Sequence, residues 1–336
     1  MKASIFDAPE HMRVGEWPTP KLEPSDVLVR VRATGICAGD LYIYQGKNPY
    51  AAYPLIGGHE ICGIVAEVGH SVKHLQLGAR VVVEPFLGCG RCYPCRVGKS
   101  NCCADLQIIG VHRPGGFAEF VVAPATHIHP VPEGLPPTWA AFAEPVAIGV
   151  QACRRGEVKA GEYVLILGAG PIGLALIEVA LARGARPLVT DINESRLEFA
   201  RTLGAQTLQP GENLLQHLLD QTNGEGAPVV IEATGNAKAM ESTVDLVAAG
   251  GRIVILGLVK RGTTVQFPGL DFTRKEMTVV GSRASVNCFP ESLQLLASGK
   301  IQYPKVATEI SMWDAPSAFA KLNDNPGAMH KGVLVF

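Results

Sequence analysis

The sequence predicts two domains of different class: an all-β, barrel-like N-terminal part and an α/β part built on a parallel sheet. Three observations carry this. At 336 residues the chain exceeds what one hydrophobic core ordinarily organises. Its texture changes near residue 145, where short β-rich runs separated by Gly and Pro give way to apolar strands alternating with helical patterns. A glycine-rich turn, Gly168-Ala-Gly-Pro-Ile-Gly173, then follows the first apolar strand of the second part.

The first part owes its β character to runs at 27–32, 61–68, 80–83 and 117–122, rich in β-branched residues and closed by turn formers. The second part reads as strand 164–167, helix 174–183, strand 187–190, helix 195–203, strand 229–232, helix 238–247 and strand 252–256. Such alternation builds βαβ units. The uncharged stretch 163–177 has the apolarity of a membrane segment, but Gly168, Gly170, Pro171 and Gly173 break it into strand, tight turn and helix. From about Pro290 the pattern gives one helix at 290–297, a loop and a closing strand at 332–336.

Hydrophobic residues make up 47% of the chain and the formal net charge is −1, so no basic surface invites nucleic acid and no acidic tract invites a basic partner. The expected partner is a small molecule. The N-terminus lacks the apolar core of a signal peptide. Nine cysteines, an odd number clustered at metal spacing, fit a reducing cytoplasm better than a disulfide framework.

Four of those cysteines, Cys89, Cys92, Cys95 and Cys103, fall within fifteen residues in the spacing C-x2-C-x2-C-x7-C. Four thiolates so spaced close around one tetrahedral ion, the shell of a structural zinc site that holds a loop and does no chemistry. A bacterial ferredoxin run would end C-x3-C-P, whereas here the gap is longer and Ala104 follows. Cys102, beside Cys103, is an alternative ligand.

The glycine-rich turn has the strand before it and the helix after it that dinucleotide binding requires. Gly168 permits the tight turn, Gly170 lets backbone approach a pyrophosphate, and Gly173 lets helix and strand pack closely; Pro171 and Ile172, between them, are expected in the same cofactor-binding turn. Asp191, at the end of the next strand, stands near the spacing at which a carboxylate takes ribose hydroxyls and repels a 2′-phosphate, which favours NAD. Arg196 could stack on the adenine or remain an exposed helix charge. A third set, Cys37, the pair His59-Glu60, and Glu144, is scattered through the first part among Gly and Pro turns. Together these side chains could hold a catalytic zinc with an open position.

The segments G-I-C-A-G-D, G-G-H-E, the four-cysteine lobe, A-E-P and G-A-G-P-I-G occur in one order over nearly the whole chain. In this the sequence resembles the zinc-containing medium-chain dehydrogenase/reductases, of the sorbitol and threonine dehydrogenase type. The resemblance implies a GroES-like catalytic domain over 1–147 and 289–336, packed on a doubly wound Rossmann domain over 148–288. It implies two zinc ions per chain, one on Cys37, His59, Glu60 and Glu144 and one on Cys89, Cys92, Cys95 and Cys103. It further implies NAD as cofactor and a homo-oligomer, dimer or tetramer. Other segments, including I-I-G-V-H-R-P-G-G-F-A-E-F and V-V-G-S-R-A, resemble bacterial polyol and sugar-acid dehydrogenases acting on substrates of the L-galactonate, L-idonate or sorbitol type. On that basis Arg283 is the first candidate to meet a substrate carboxylate, with His112 and Arg113 behind it.

One departure stands out. Relatives usually read C-G-[ST]-D-x-H, and this chain reads Cys37-Ala-Gly39-Asp40-Leu-Tyr42, without the hydroxyl and histidine of the usual proton relay. Tyr42, Glu60 or water would take that role, and Asp40 would orient the site. Two rivals remain at this level: a threonine-type amino-alcohol dehydrogenase, and a zinc-stabilised dinucleotide sensor without catalysis.

Overall fold

The computed structural model describes every residue except Glu212 and Pro326. The chain forms two compact units, one of Met1–Glu144, Phe289–Ser298 and Pro304–Phe336, the other of Pro145–Cys288 and Gly299–Tyr303. The first division thus falls at 144/145 instead of 147/148, and the short return 299–303 goes to the second unit.

In the first unit, strand Asp26–Gly35 is the centre of a seven-stranded sheet. It pairs antiparallel with Glu60–Val68, with Phe120–Pro124 and with the C-terminal Lys331–Val335. Val27, Val29 and Val31 alternate along it and meet Ile61, Val65, Val81, Val83 and Val121 in one buried cluster, the period-two pattern that the sequence carries. A second cluster is aromatic. Phe319 packs edge-on against Phe6 at 5.2 Å between ring centroids and against Phe117 at 5.7 Å. Phe319 lies on helix Ala315–Asp324, so this contact returns the end of the chain to the first unit.

That helix and the strand Ala307–Ser311 replace the loop expected before the closing strand. Ala-Pro-Ser reads as a turn signal, but proline in the first turn of a helix lacks only an N–H that has no helical partner there. The same reason moves the helix after the glycine-rich turn back to Pro171–Ala182. The strand expected at 117–122 begins at Phe120 and runs to Pro124, because residues 117–119 make other backbone pairings, Phe117 to Gly57 and Glu119 to Lys2.

The second unit holds a six-stranded, wholly parallel sheet. Its strands, Gln206–Thr207, Arg186–Thr190, Tyr163–Leu167, Ala227–Glu232, Val247–Ile255 and Thr278–Gly281, lie in that spatial order. Numbered along the chain this is 3-2-1-4-5-6, the doubly wound arrangement in which ligands bind beyond the carboxyl ends of the central strands. Leu165, Leu188, Val230 and Ile253 are fully buried, as expected for strands covered on both faces. Among the described residues no helix is long and apolar enough to cross a membrane.

Candidate metal centres and dinucleotide site

Register assembles the mixed-ligand cluster. Gly35 lies opposite Glu60 in one antiparallel pair and opposite Val333 in the other. Cys37, two residues past Gly35, and His59, one residue before Glu60, therefore emerge at the same sheet end. Ligand atoms of Cys37, His59 and Glu60 all lie within 4.8 Å of one another. Gly35 is indispensable to this: a Cβ there would sit 1.8 Å from Glu60 Oε2.

Asp40, fully buried, ties the two ligand-bearing segments together. Its Oδ2 accepts from the Cys37 backbone N–H at 2.9 Å, and its Oδ1 accepts from Gly58 N–H at 3.1 Å. The first bond belongs to the cap of helix Ala38–Tyr44. Asp40 Oδ1 also faces His59 Nδ1 at 3.6 Å. Burial lowers the His59 pKa, but the facing Asp40 and Cys37 outweigh it and hold the imidazole well above its ordinary value.

Lys331 was missed in the sequence. It stands at the head of the closing strand, 3% exposed, with its Nζ donating to Glu60 Oε1 in a buried ion pair. A cation next to the apolar run Gly-Val-Leu-Val was the available signal. Glu60 Oε2, both Glu144 carboxylate oxygens and His59 Nδ1 are buried without hydrogen-bond partners. Glu144, in the first turn of helix Ala143–Arg155, is 2% exposed and does not join the close cluster. Burial raises its pKa to about 7, with Glu60 and Asp40 adding to the rise against His59 and Lys331. Orphaned carboxylate oxygens beside a thiol and an imidazole are what a divalent cation satisfies, so the donor set fits zinc.

The four-cysteine lobe is local. Cys92 caps the short helix Tyr93–Arg96, the 3-10 turn Ser100–Cys102 follows, and the sulfurs of Cys89, Cys92, Cys95 and Cys103 lie within 4.8 Å of one another. Cys103 is the buried member, whereas Cys102 is exposed and outside the group. Backbone N–H groups of Cys95 and Ala104 lower the Cys92 thiol to about 6, while burial and then Cys92 push Cys95 up to about 12. A cage that accepts one thiolate and resists a second is completed by a cation.

In the second unit, an added Cβ at Gly173 would meet the Gly168 carbonyl oxygen at 2.0 Å, so helix and turn touch there; at Gly170 it would meet nothing, leaving room for a ligand. A cavity of about 730 Å³ opens beside the turn, lined in part by Gly168, Gly170, Asp191, Ile192, Arg196 and Asn236. Asp191 Oδ2 accepts from Ala169 N–H and Oδ1 from Asn193 N–H, both at 2.8 Å. Each oxygen keeps a lone pair for a ribose hydroxyl. Arg196 lies 3.6 Å from Asp191 and is half-exposed. Pro171 and Ile172 open the helix without lining the cavity.

The remaining candidates lie apart from these clusters. Tyr42 is 56% exposed on helix Ala38–Tyr44. Its place three residues after Gly39 puts both on one helix face. His112 and Arg113 line a separate cavity of the first unit. Arg283, in the second unit, is exposed just after strand Thr278–Gly281.

Residues 23–133 match the alcohol dehydrogenase GroES-like domain, and residues 171–298 match the zinc-binding dehydrogenase domain. The chain is 38% identical to the L-galactonate-5-dehydrogenase of Escherichia coli K12, over 90% of this chain and 88% of that one. Two solved structures superpose with TM-scores of 0.92, each over 100% of this chain and 99% of the other. One is a candidate zinc-binding dehydrogenase from Sinorhizobium meliloti 1021 bound to NADP, 32% identical. The other is described as a short chain alcohol dehydrogenase from E. coli CFT073, complexed with NADH, 31% identical. Both domains and nearly the full length agree: the chain belongs to the zinc-type alcohol dehydrogenases of the medium-chain dehydrogenase/reductase family.

Proposed function

We propose that the protein is an NAD-dependent zinc enzyme that interconverts a secondary alcohol of a polyol or sugar acid with the corresponding ketone. The observation that carries the proposal is the close set of half-buried Cys37 with His59 and Glu60, beside which carboxylate oxygens of Glu60 and Glu144 are buried and unpartnered. A protein that only bound a dinucleotide would gain nothing from that costly arrangement. Zinc held there supplies Lewis acidity toward a substrate hydroxyl, and NAD supplies the hydride acceptor.

The chain's own residues prepare this chemistry. Cys37 and His59 are the ligands whose geometry Asp40 fixes through Cys37 N–H and Gly58 N–H. Lys331 holds one Glu60 oxygen and leaves the other for the metal. Asp191 takes the adenosine ribose hydroxyls, and its charge opposes a 2′-phosphate. Cys89, Cys92, Cys95 and Cys103 take a second, structural zinc.

Support for the substrate class comes from the 38% identity to an L-galactonate-5-dehydrogenase, and from two arginines, Arg283 and Arg113, suited to a carboxylate. The test is a turnover screen over polyols, aldonates and threonine with NAD and NADP, beside zinc analysis. We expect two zinc ions per chain, activity on polyhydroxylated substrates and a strong NAD preference that Asp191→Ser narrows. One zinc without turnover would favour the sensor; threonine as the best substrate would favour the amino-alcohol enzyme. Equal kcat/KM with both cofactors would remove Asp191 from its role.

A further inference from the structure

A second cavity lies wholly within the first unit. It measures about 350 Å³, the small end of the range for small-molecule sites, and its lining includes Trp17, Tyr50, Ile56, Gln107, His112 and Arg113. Two of these side chains sit at the tip of the loop between Gly110 and Gly116, and that loop is clamped.

Gly110 N–H closes the tip by donating to the Arg113 carbonyl at 2.8 Å. Beyond it, Gly115 N–H donates to Ile56 O at 2.9 Å, Gly116 N–H to Gly58 O at 2.8 Å and Phe117 N–H to Gly57 O at 3.0 Å. The approach is so close that a Cβ on Gly115 would lie 2.3 Å from the Gly57 and Gly58 oxygens, and one on Gly110 2.7 Å from Gly58 O. Those three residues, Ile56 to Gly58, lead directly into His59. Three residues span at most about 10 Å, so the cavity wall at Ile56 lies no farther than that from the His59 backbone, within the scale of a six-carbon acid. Backbone contacts alone therefore tie the base of the loop to the segment that leads into His59.

The polar groups at the tip are set in advance. Ile108 N–H donates to His112 Nδ1 at 3.1 Å, which leaves the His112 proton on Nε2 as a donor. Burial lowers the His112 pKa, in keeping with a neutral ring. The Tyr50 ring stands 5.8 Å from it. The Arg113 guanidinium makes no ion pair or hydrogen bond among the described residues, so its planar fork is uncommitted. Aromatic faces for C–H surface, an imidazole N–H, a carboxamide and a free guanidinium form the donor set that a hydroxylated chain ending in a carboxylate requires.

We propose that this cavity receives the end of the substrate remote from the reacting carbinol, with Arg113 and His112 Nε2–H meeting its carboxylate and Gln107 a neighbouring hydroxyl. The proposal rests on the sugar-acid reading above and assigns the carboxylate to the first unit instead of to Arg283.

Two readouts test it on the zinc-loaded enzyme. The first is the ratio of kcat/KM for L-galactonate to that for 2,3-butanediol, which is too short to fill the cavity, in Arg113→Met, His112→Leu and Arg283→Ala. The second is binding of L-galactonate and other aldonates followed by tryptophan fluorescence, with Trp17→Phe identifying the responding residue. We expect Arg113→Met to lower the ratio about thirtyfold or more, chiefly through KM, and to weaken aldonate binding in parallel. An unchanged ratio in both loop variants, or a larger loss in Arg283→Ala, would overturn the assignment while leaving the sugar-acid reading intact. Aldonate binding that quenches Trp17 and depends on Arg113, without turnover, would keep the cavity and remove the sugar-acid reading of the reaction. Neither binding nor turnover across the aldonates would overturn both.

Discussion

The two cysteine-bearing clusters of the first unit are built on opposite principles. The lobe of Cys89, Cys92, Cys95 and Cys103 is a local object: fifteen residues, one short helix and one 3-10 turn suffice to converge four sulfurs. The cluster of Cys37, His59 and Glu60 is a product of long-range register, in which strands ending at Gly35 and starting at Glu60 and Lys331 meet at one edge. The lobe spends only its cysteines. The other site also spends buried charge: Asp40, Glu60, Glu144 and Lys331 are each at most 3% exposed. Closed thiolate cages contribute to folding, whereas a site with orphaned carboxylates draws on the stability of the fold around it.

That contrast is broken or sharpened most strongly by two single substitutions. Cys92→Ala should lower the Tm and yield of soluble protein, because a three-thiolate lobe no longer closes around its ion. Cys37→Ser should leave the Tm near that of the parent and lower kcat by roughly a thousandfold or more, since a ligand of the reacting metal is weakened. Tm from a thermal melt and kcat on a polyol, measured side by side, decide the matter. A Cys37→Ser protein that kept most of its turnover would place the chemistry elsewhere.

The same contrast explains what could be read in advance. The lobe was legible because its spacing is local; spacing left Cys102 and Cys103 open as the fourth member, resemblance favoured Cys103, and it is Cys103 whose sulfur lies with the other three. The parallel sheet was legible because buried strands and a Gly-rich turn are local patterns, whereas its 3-2-1-4-5-6 order is set by long-range pairing and comes from the structure. Cys37, His59 and Glu60 were nameable as candidate ligands by residue type, but resemblance to a family was what made them one set, since no residue spacing connects 37 with 59. Lys331 carried only the faint signal of a cation beside an apolar run; its partner was not legible, because the pairing with Glu60 exists only once Val333 lies opposite Gly35. The helix Ala315–Asp324 was hidden by a proline that reads as a breaker and serves as a helix start.

Lys331 offers the next test. Replacing it by Met leaves the Glu60 carboxylate buried without its partner, a loss of about 3 to 5 kcal/mol. Bound zinc would offset part of that loss, so the Tm drop should be larger in metal-free protein, and Lys331→Met with Glu60→Gln should recover much of it. Equal drops with and without metal would show that Glu60 does not face the ion.

Glu144 should give a smaller effect, one that depends on pH. Its folded pKa of about 7 lies above the ordinary 4.5, so the folded state binds this proton more tightly than the unfolded chain. Stability from this group is therefore present below pH 4.5 and lost as pH rises through 7. In the Cys37→Ser background, which keeps the lobe thiols, Glu144→Gln should raise stability at pH 8 relative to pH 5 by on the order of 2 to 3 kcal/mol. Denaturant melts at the two pH values read this directly. A pH-independent difference would mean that Glu144 is paired in solution.

The smallest expected effect concerns the proton path, where this chain departs from its relatives. A Cβ at Gly39 would lie 3.8 Å from His59 Cε1 and 4.0 Å from Cys37 Sγ, ordinary contact distances, so Gly39→Ser fits without displacement. Serine also has the better helix propensity, which adds a few tenths of a kcal/mol to the stability of helix Ala38–Tyr44. Its hydroxyl would stand where relatives carry the first relay group. Tyr42, one turn further along that face and open to solvent, offers a phenol in place of their histidine. If Tyr42 carries the proton outward, Tyr42→Phe should lower kcat severalfold, most at low pH where the substrate hydroxyl is hardest to ionise. Gly39→Ser should then restore part of that loss in the double variant. A Tyr42→Phe profile that superposes on the parent at every pH would instead hand the proton to Glu60 or water, and place both metal clusters on the same footing: neither would depend on the helix surface beside it.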